Sequence, residues 1–163
     1  MRGRFTGATV PYAPQGRAVA IAESVAVSEF LLDPRLEADS VAVGEFSLST
    51  VRLMKDSRFP WLILVPRRPD VSDLIDLPPD DRVALSGEVD VACRVLKAVT
   101  GCDKLNVASL GNVVRQLHVH VIARFEADAA WPNPVWGVGT PAPYAAADAA
   151  RLVADLRVRF GLD

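Results

Sequence analysis

The chain has 163 residues, half of them hydrophobic and 23% charged, with 18 Lys+Arg against 20 Asp+Glu. A chain of this length buries roughly two-thirds of the surface its unfolded form exposes, so a core can form without disulfides or a structural metal. A net charge of −2 excludes affinity that rests on neutralising phosphate backbones, which needs clustered surplus cations, and nucleic acid is not an expected partner.

Residues 1–22 hold Arg2, Arg4 and Arg17 and no acid, a charge of +3 that leaves −5 for the rest of a chain totalling −2. The apolar stretch from Ala18 to Val27 is broken by Glu23 and lacks the Leu and Phe density of a signal peptide. Residues 1–22 therefore read as a flexible leader and residues 24–163 as one domain. The period-two alternation from Phe46 to Leu53 predicts a half-buried strand. Asp56 to Pro60 is turn material, with Lys55 and Asp56 as plain turn residues. Trp61 to Val65 is an unbroken apolar run of strand length, stopped by Pro66, which cannot donate to a ladder. This is also the longest strongly hydrophobic stretch, far short of the ~20 residues that span a bilayer, so no membrane partner is expected. Arg67 and Arg68 end that strand, either as solvated side chains or as bidentate phosphate contacts.

Pro78 to Asp81 supplies a proline-bounded helix start with acids at the positive end of the dipole. Leu85, Val89, Ala92, Leu96 and Val99 then recur at steps of four and three, one apolar stripe for a sheet to receive, and Gly101 is the natural stop. Cys93 and Cys102 lie nine apart with no C-x-x-C pairing; they read as reduced thiols in a cytoplasmic protein. Lys104 to Val107 predicts a strand, Ala108 to Asn112 a turn, and Val113 to Phe125 a long strand. Trp131 to Gly137 is too rich in proline for either element and predicts a loop pinned by Trp131 and Trp136, which either close a cleft or plug the core. A last helix is expected from Pro143 or Tyr144 to Phe160, with Leu152, Val153, Leu156 and Phe160 on one side and Gly161 ending it. Hairpin-connected strands on both sides of one central helix point to an α+β domain.

The only two histidines of the chain sit two apart in Gln116-Leu-His118-Val-His120-Val-Ile122. In a strand, Leu117, Val119, Val121 and Ala123 form one apolar face and Gln116, His118, His120 and Ile122 share the other, with the histidine alpha carbons about 6.6–7 Å apart. Imidazole changes charge near neutral pH and serves as nucleophile or proton carrier, so a side-by-side pair before an apolar layer is a candidate catalytic centre. The plain alternative is two polar residues on the wet face of a sheet.

Gln116 to Ile122, preceded by Leu105-Asn-Val-Ala-Ser-Leu-Gly-Asn112 and by Pro60 to Arg67, resembles the histidine triad family of nucleotide hydrolases and transferases. It is most similar to the bacterial branch with a Q-x-H-x-H motif and to diadenosine polyphosphate hydrolases. The resemblance runs from Phe30 to Gly137. It implies a five-stranded antiparallel sheet with one long helix, a homodimer, and a small-molecule nucleotide in the cleft beside the histidines, with no cofactor and no metal. It also implies that His118 attacks the α-phosphorus of an anhydride or phosphoramidate, forming a nucleotidyl-histidine that water hydrolyses. His120 and Gln116 would assist; Asn106, Gly111 and Asn112 would bind the nucleotide. Attack requires that the other His118 nitrogen donate to an acceptor, a backbone carbonyl being the expected one.

This chain departs from the family pattern at three places: Gln116 replaces the first histidine and cannot titrate, Val113 replaces a phosphate-contacting serine, and Trp61 stands where another histidine often sits. Those replacements point either to slow activity or to a restriction to good leaving groups such as polyphosphate. Two further readings compete: a non-catalytic nucleotide sensor on the same fold, and an H-x-H metal site, for which Asp103, Glu126 and Asp128 fall outside the strand register. Ser109 imitates a nucleophile elbow but lacks its first glycine.

Overall fold

The computed structural model describes residues 29–162; the expected leader and the expected domain start at Ser24 lie outside them. Five strands form one antiparallel sheet: β1 (Ser40–Glu45), β2 (Ser49–Met54), β3 (Trp61–Pro66), β4 (Lys104–Ala108) and β5 (Val119–Arg124), in the order β1-β2-β3-β5-β4. Among the described residues three α-helices accompany it, the short α1 (Pro34–Asp39), the long α2 (Pro79–Thr100) and the C-terminal α3 (Ala146–Phe160). The architecture is the expected α+β arrangement. Because α2 carries the chain across the sheet after β3, β5 returns between β3 and β4 and becomes an interior strand.

Residues directly opposite in antiparallel strands point to the same side. The pairs Leu62↔Val121, Leu64↔Val119 and Leu105↔Ala123 therefore build one face. The helical side of the sheet buries Leu62, Leu64, Val121 and Ala123 with Ala92 and Leu96 of α2 and Leu156 of α3. Each such side chain contributes roughly 1.5–3 kcal/mol on leaving water. The α2 stripe is as the periodicity predicts, and so is the α3 stripe of Leu152, Val153, Leu156 and Phe160. Gly101 and Gly161 end the two helices in the left-handed region, at φ 66° and 68°, a conformation that costs glycine nothing.

The other face, with Trp61↔Ile122 and Ile63↔His120, has no long helix on it. It is covered by α1, the segment before it, the β4–β5 connection and the loop after β5, through Leu36, Val114, Ala130 and Val135. This is the face that carries the histidines.

Three sequence expectations change. The strand expected from Phe46 begins at Ser49, because Leu48 N–H and Ser49 N–H donate to the buried Glu88 side chain of α2 (2.6 and 3.1 Å) and close a turn there. β1 and α1 had no sequence signal: β1 is a short edge strand whose alternation is interrupted by a register shift between Ala42 and Gly44. The long strand expected from Val113 is ordered as strand only from Val119. Leu117 N–H donates to Val71 O, in a loop rather than a neighbouring strand, at 2.9 Å, and the approach to β5 is irregular. No helix among the described residues is long and apolar enough to cross a membrane.

Candidate functional site

His120 lies on β5 and His118 immediately before it, and the face assignment read from alternation holds within β5: Val119 and Val121 turn to the helical side while Ile122 joins the opposite cluster. The two imidazoles meet edge to face with ring centroids 4.7 Å apart. Both are more enclosed than a wet sheet face implies, at 6% exposure each. Trp61 and Trp136 enclose His120, with centroids 5.2 and 5.3 Å from its ring and 5.5 Å from each other.

Each ring has one nitrogen tied to the protein. His118 Nδ1 lies 2.7 Å from the Gln116 carbonyl oxygen. A carbonyl only accepts, so Nδ1 carries a proton and Nε2 of the neutral ring keeps its lone pair. The acceptor that attack requires is therefore a backbone carbonyl two residues away. His120 has the reverse arrangement: the Trp61 indole Nε1–H donates to His120 Nδ1 at 2.9 Å. An indole cannot accept, so the proton of neutral His120 sits on Nε2. Burial, and then the neighbouring His118, push His120 down from its ordinary 6.5 to about 3. Among the described residues neither Nε2 has a hydrogen-bond partner, yet neither belongs to the fully enclosed side-chain atoms that lack one, such as Ser49 Oγ and Tyr144 Oη. The small exposed part of each ring thus includes Nε2. One ring offers an electron pair outward and the other a proton donor.

The remaining expected site residues are dispersed. Both ends of the Gln116 amide are engaged by the N-terminal segment: Oε1 accepts from Asp33 N–H at 2.9 Å and Nε2 donates to Leu31 O at 2.8 Å. Its contribution to the histidines is its backbone carbonyl. Asn106 Oδ1 accepts from Arg124 Nη1 at 2.6 Å. That guanidinium, 1% exposed, also pairs with Asp128 and the Asn133 carbonyl and pins the loop after β5. Asp128 is held down at about 2 by that arginine. Gly111, at φ 69°, and Asn112 line a separate surface depression with Ser72, Asp73 and Arg115. Arg67 and Arg68 are structural ties, to the carbonyls of Phe46 and Ser47 and to Asp81.

The sequence reading missed a cleft of about 330 Å³ beside the two indoles, lined by Met54, Lys55, Asp56, Arg58, Trp61 and Trp136 among others. Asp56, read as a turn residue, is buried there. The Arg58 side chain at 2.6 Å holds its carboxyl below the usual range, and Ala142 N–H adds a further bond. Proximity in sequence to Trp61 was the only available signal. Among the described residues no three His, Cys, Asp or Glu side chains converge as a metal site would require, and Cys93 and Cys102 are unpaired.

Residues 35–127 match the HIT domain family. The chain is 46% identical to a histidine triad protein from Bradyrhizobium japonicum, covering 81% of this chain and 98% of that one, with a TM-score of 0.80. Similar proteins from Sinorhizobium meliloti (45% identity, 80% and 96% covered, TM-score 0.78) and Marinobacter aquaeolei (40%, 82% and 98%, 0.80) share the fold. No curated protein matches the chain. With over half of the chain matching the family model and a relative of 46% identity covering 81% of it, this chain belongs to the histidine triad (HIT) domain family.

Proposed function

We propose that the protein is a nucleotide phosphohydrolase or nucleotidyl transferase acting on the α-phosphate of a nucleotide anhydride or phosphoramidate, with His118 as nucleophile. The observation that carries this reading is the His118 Nδ1 contact to the Gln116 carbonyl, which leaves an outward Nε2 lone pair on a ring that cannot easily turn. In the first step Nε2 bonds to phosphorus and the bond from phosphorus to the leaving group breaks, the leaving group departing with the electron pair. The adduct retains the Nδ1 proton, and the carbonyl stabilises the resulting positive ring. Water then attacks phosphorus, the N–P bond breaks with its electron pair returning to Nε2, a proton of the water passes to solvent, and the nucleoside monophosphate leaves with the ring neutral again. His120 Nε2–H donates to a phosphate oxygen as charge accumulates there. The indole-walled cleft has the volume and aromatic character that suit a nucleobase.

The open edge of β4, where Val107 is exposed, supports the homodimer as part of this proposal, and sedimentation as a monomer would remove it. A reducing compartment such as the cytoplasm fits the two free thiols. The sensor reading draws on the burial of both rings. Intact-mass spectrometry during incubation with a diadenosine polyphosphate decides between them: the enzyme gives a one-nucleotide adduct and releases monophosphate. His118→Ala is expected to lose the adduct and at least about a thousandfold of the turnover. Binding without product would establish the sensor instead.

A further inference from the structure

We infer that Trp61 is a positioning residue that locks His120 as a one-way hydrogen-bond donor, and that this lock restricts the site to substrates whose leaving group departs as a stable anion. The second part rests on the hydrolase reading above; the first does not.

The geometry is a single contact with a sign. Indole Nε1–H can only donate, and it sits 2.9 Å from His120 Nδ1. A proton on that nitrogen would set two N–H groups against each other, so an imidazolium at position 120 requires the contact to break. Little room exists for the ring to swing away. It is in edge contact with Trp61, Trp136 and His118, on an interior strand whose backbone opposes Ile63 on one side and Ala108 on the other. Trp61 itself is buried, at 8% exposure.

Consequences for the reaction follow from proton balance. To act as a general acid, neutral His120 would have to release its Nε2 proton and become an imidazolate, and to relay a proton it would have to receive one at Nδ1. Neither route is open while the indole holds it. Its one remaining contribution is a hydrogen bond from Nε2. An anhydride needs no more, since the P–O bond breaks and the oxygen departs with the electron pair as a polyphosphate anion. A phosphoramidate does need more, since nitrogen leaving phosphorus must take up a proton in the same event. The Gln116 side chain, bonded to Asp33 and Leu31, is no source of that proton. The site should therefore discriminate between two substrate classes that the family chemistry alone would treat alike.

The test has two independent readouts. Long-range proton–nitrogen correlation spectra of histidine-labelled protein without substrate are expected to show His120 as a single tautomer, protonated at Nε2 and bare at Nδ1. Trp61→Phe, which keeps an aromatic ring but no donor, is expected to release that tautomer into a mixture. A wild-type spectrum with the proton on Nδ1, or a Trp61→Phe spectrum unchanged from wild type, would overturn the lock. Should Trp61→Phe fail to fold, the wild-type spectrum alone decides.

For the second part, kcat/KM for diadenosine tetraphosphate is expected to exceed that for an alkylamine phosphoramidate of AMP by at least about tenfold, the energy of one missing proton donor. In Trp61→Phe, kcat on the tetraphosphate is expected to fall about tenfold with KM little changed. Equal or better use of the phosphoramidate by wild type overturns the restriction. Turnover of neither compound would overturn the hydrolase reading and the restriction with it, leaving the tautomer result to judge the lock.

Discussion

At the scale of single residues, Gln116 is the position where sequence and structure diverge most usefully. Its place beside two histidines in an alternating run suggested a third member of a catalytic row. The backbone leaves the strand before reaching it, and its amide faces Asp33 and Leu31 instead. Gln116→Ala is therefore expected to slow turnover less than tenfold, since the carbonyl under His118 is retained. It should speed amide exchange at Asp33 N–H, which loses its only side-chain acceptor. Loss of activity as complete as in His118→Ala would return Gln116 to the chemistry. The histidine pair was legible because a period of two sorts faces without reference to any partner. The Trp61 bond to His120 was not, because it depends on which residues of two strands stand opposite, and a separation of 59 positions does not encode that register.

Among the elements, amphipathic helices were the easiest to anticipate: their stripes are local, and Gly101 and Gly161 mark their ends. The exception is Glu88, an acid on the buried side of α2. Its two oxygens accept from Ser47 Oγ, Leu48 N–H and Ser49 N–H. It performs for the β1–β2 turn what a turn's own residues usually do, so neither the turn nor the true start of β2 has a local signature. Glu88→Ala leaves two enclosed backbone donors unmet. It is expected to cost about 2–4 kcal/mol and lower Tm by roughly 5–10 °C in a calorimetric scan. A change within about 0.5 kcal/mol would mean that water or a shifted turn replaces the carboxyl oxygens. β1 escaped notice for a different reason, since an edge strand carrying a bulge needs no clean alternation.

For the molecule as a whole, the sheet divides two kinds of order. One side is stabilised by α2 and α3 through a continuous apolar core. On the other, where the histidines lie, cover comes from a six-residue helix and irregular chain. Such cover has fewer internal hydrogen bonds than a helix and opens at a lower free energy than the global transition. Warming should consequently extinguish chemistry before it dissolves architecture. Activity assayed at rising temperature is expected to fade several degrees below the loss of far-ultraviolet dichroism; coincident curves would mean that both sides melt as one unit. A protein arranged this way can retune what it recognises by rewriting irregular coverings, while the helical half preserves the scaffold on which each new version is tried.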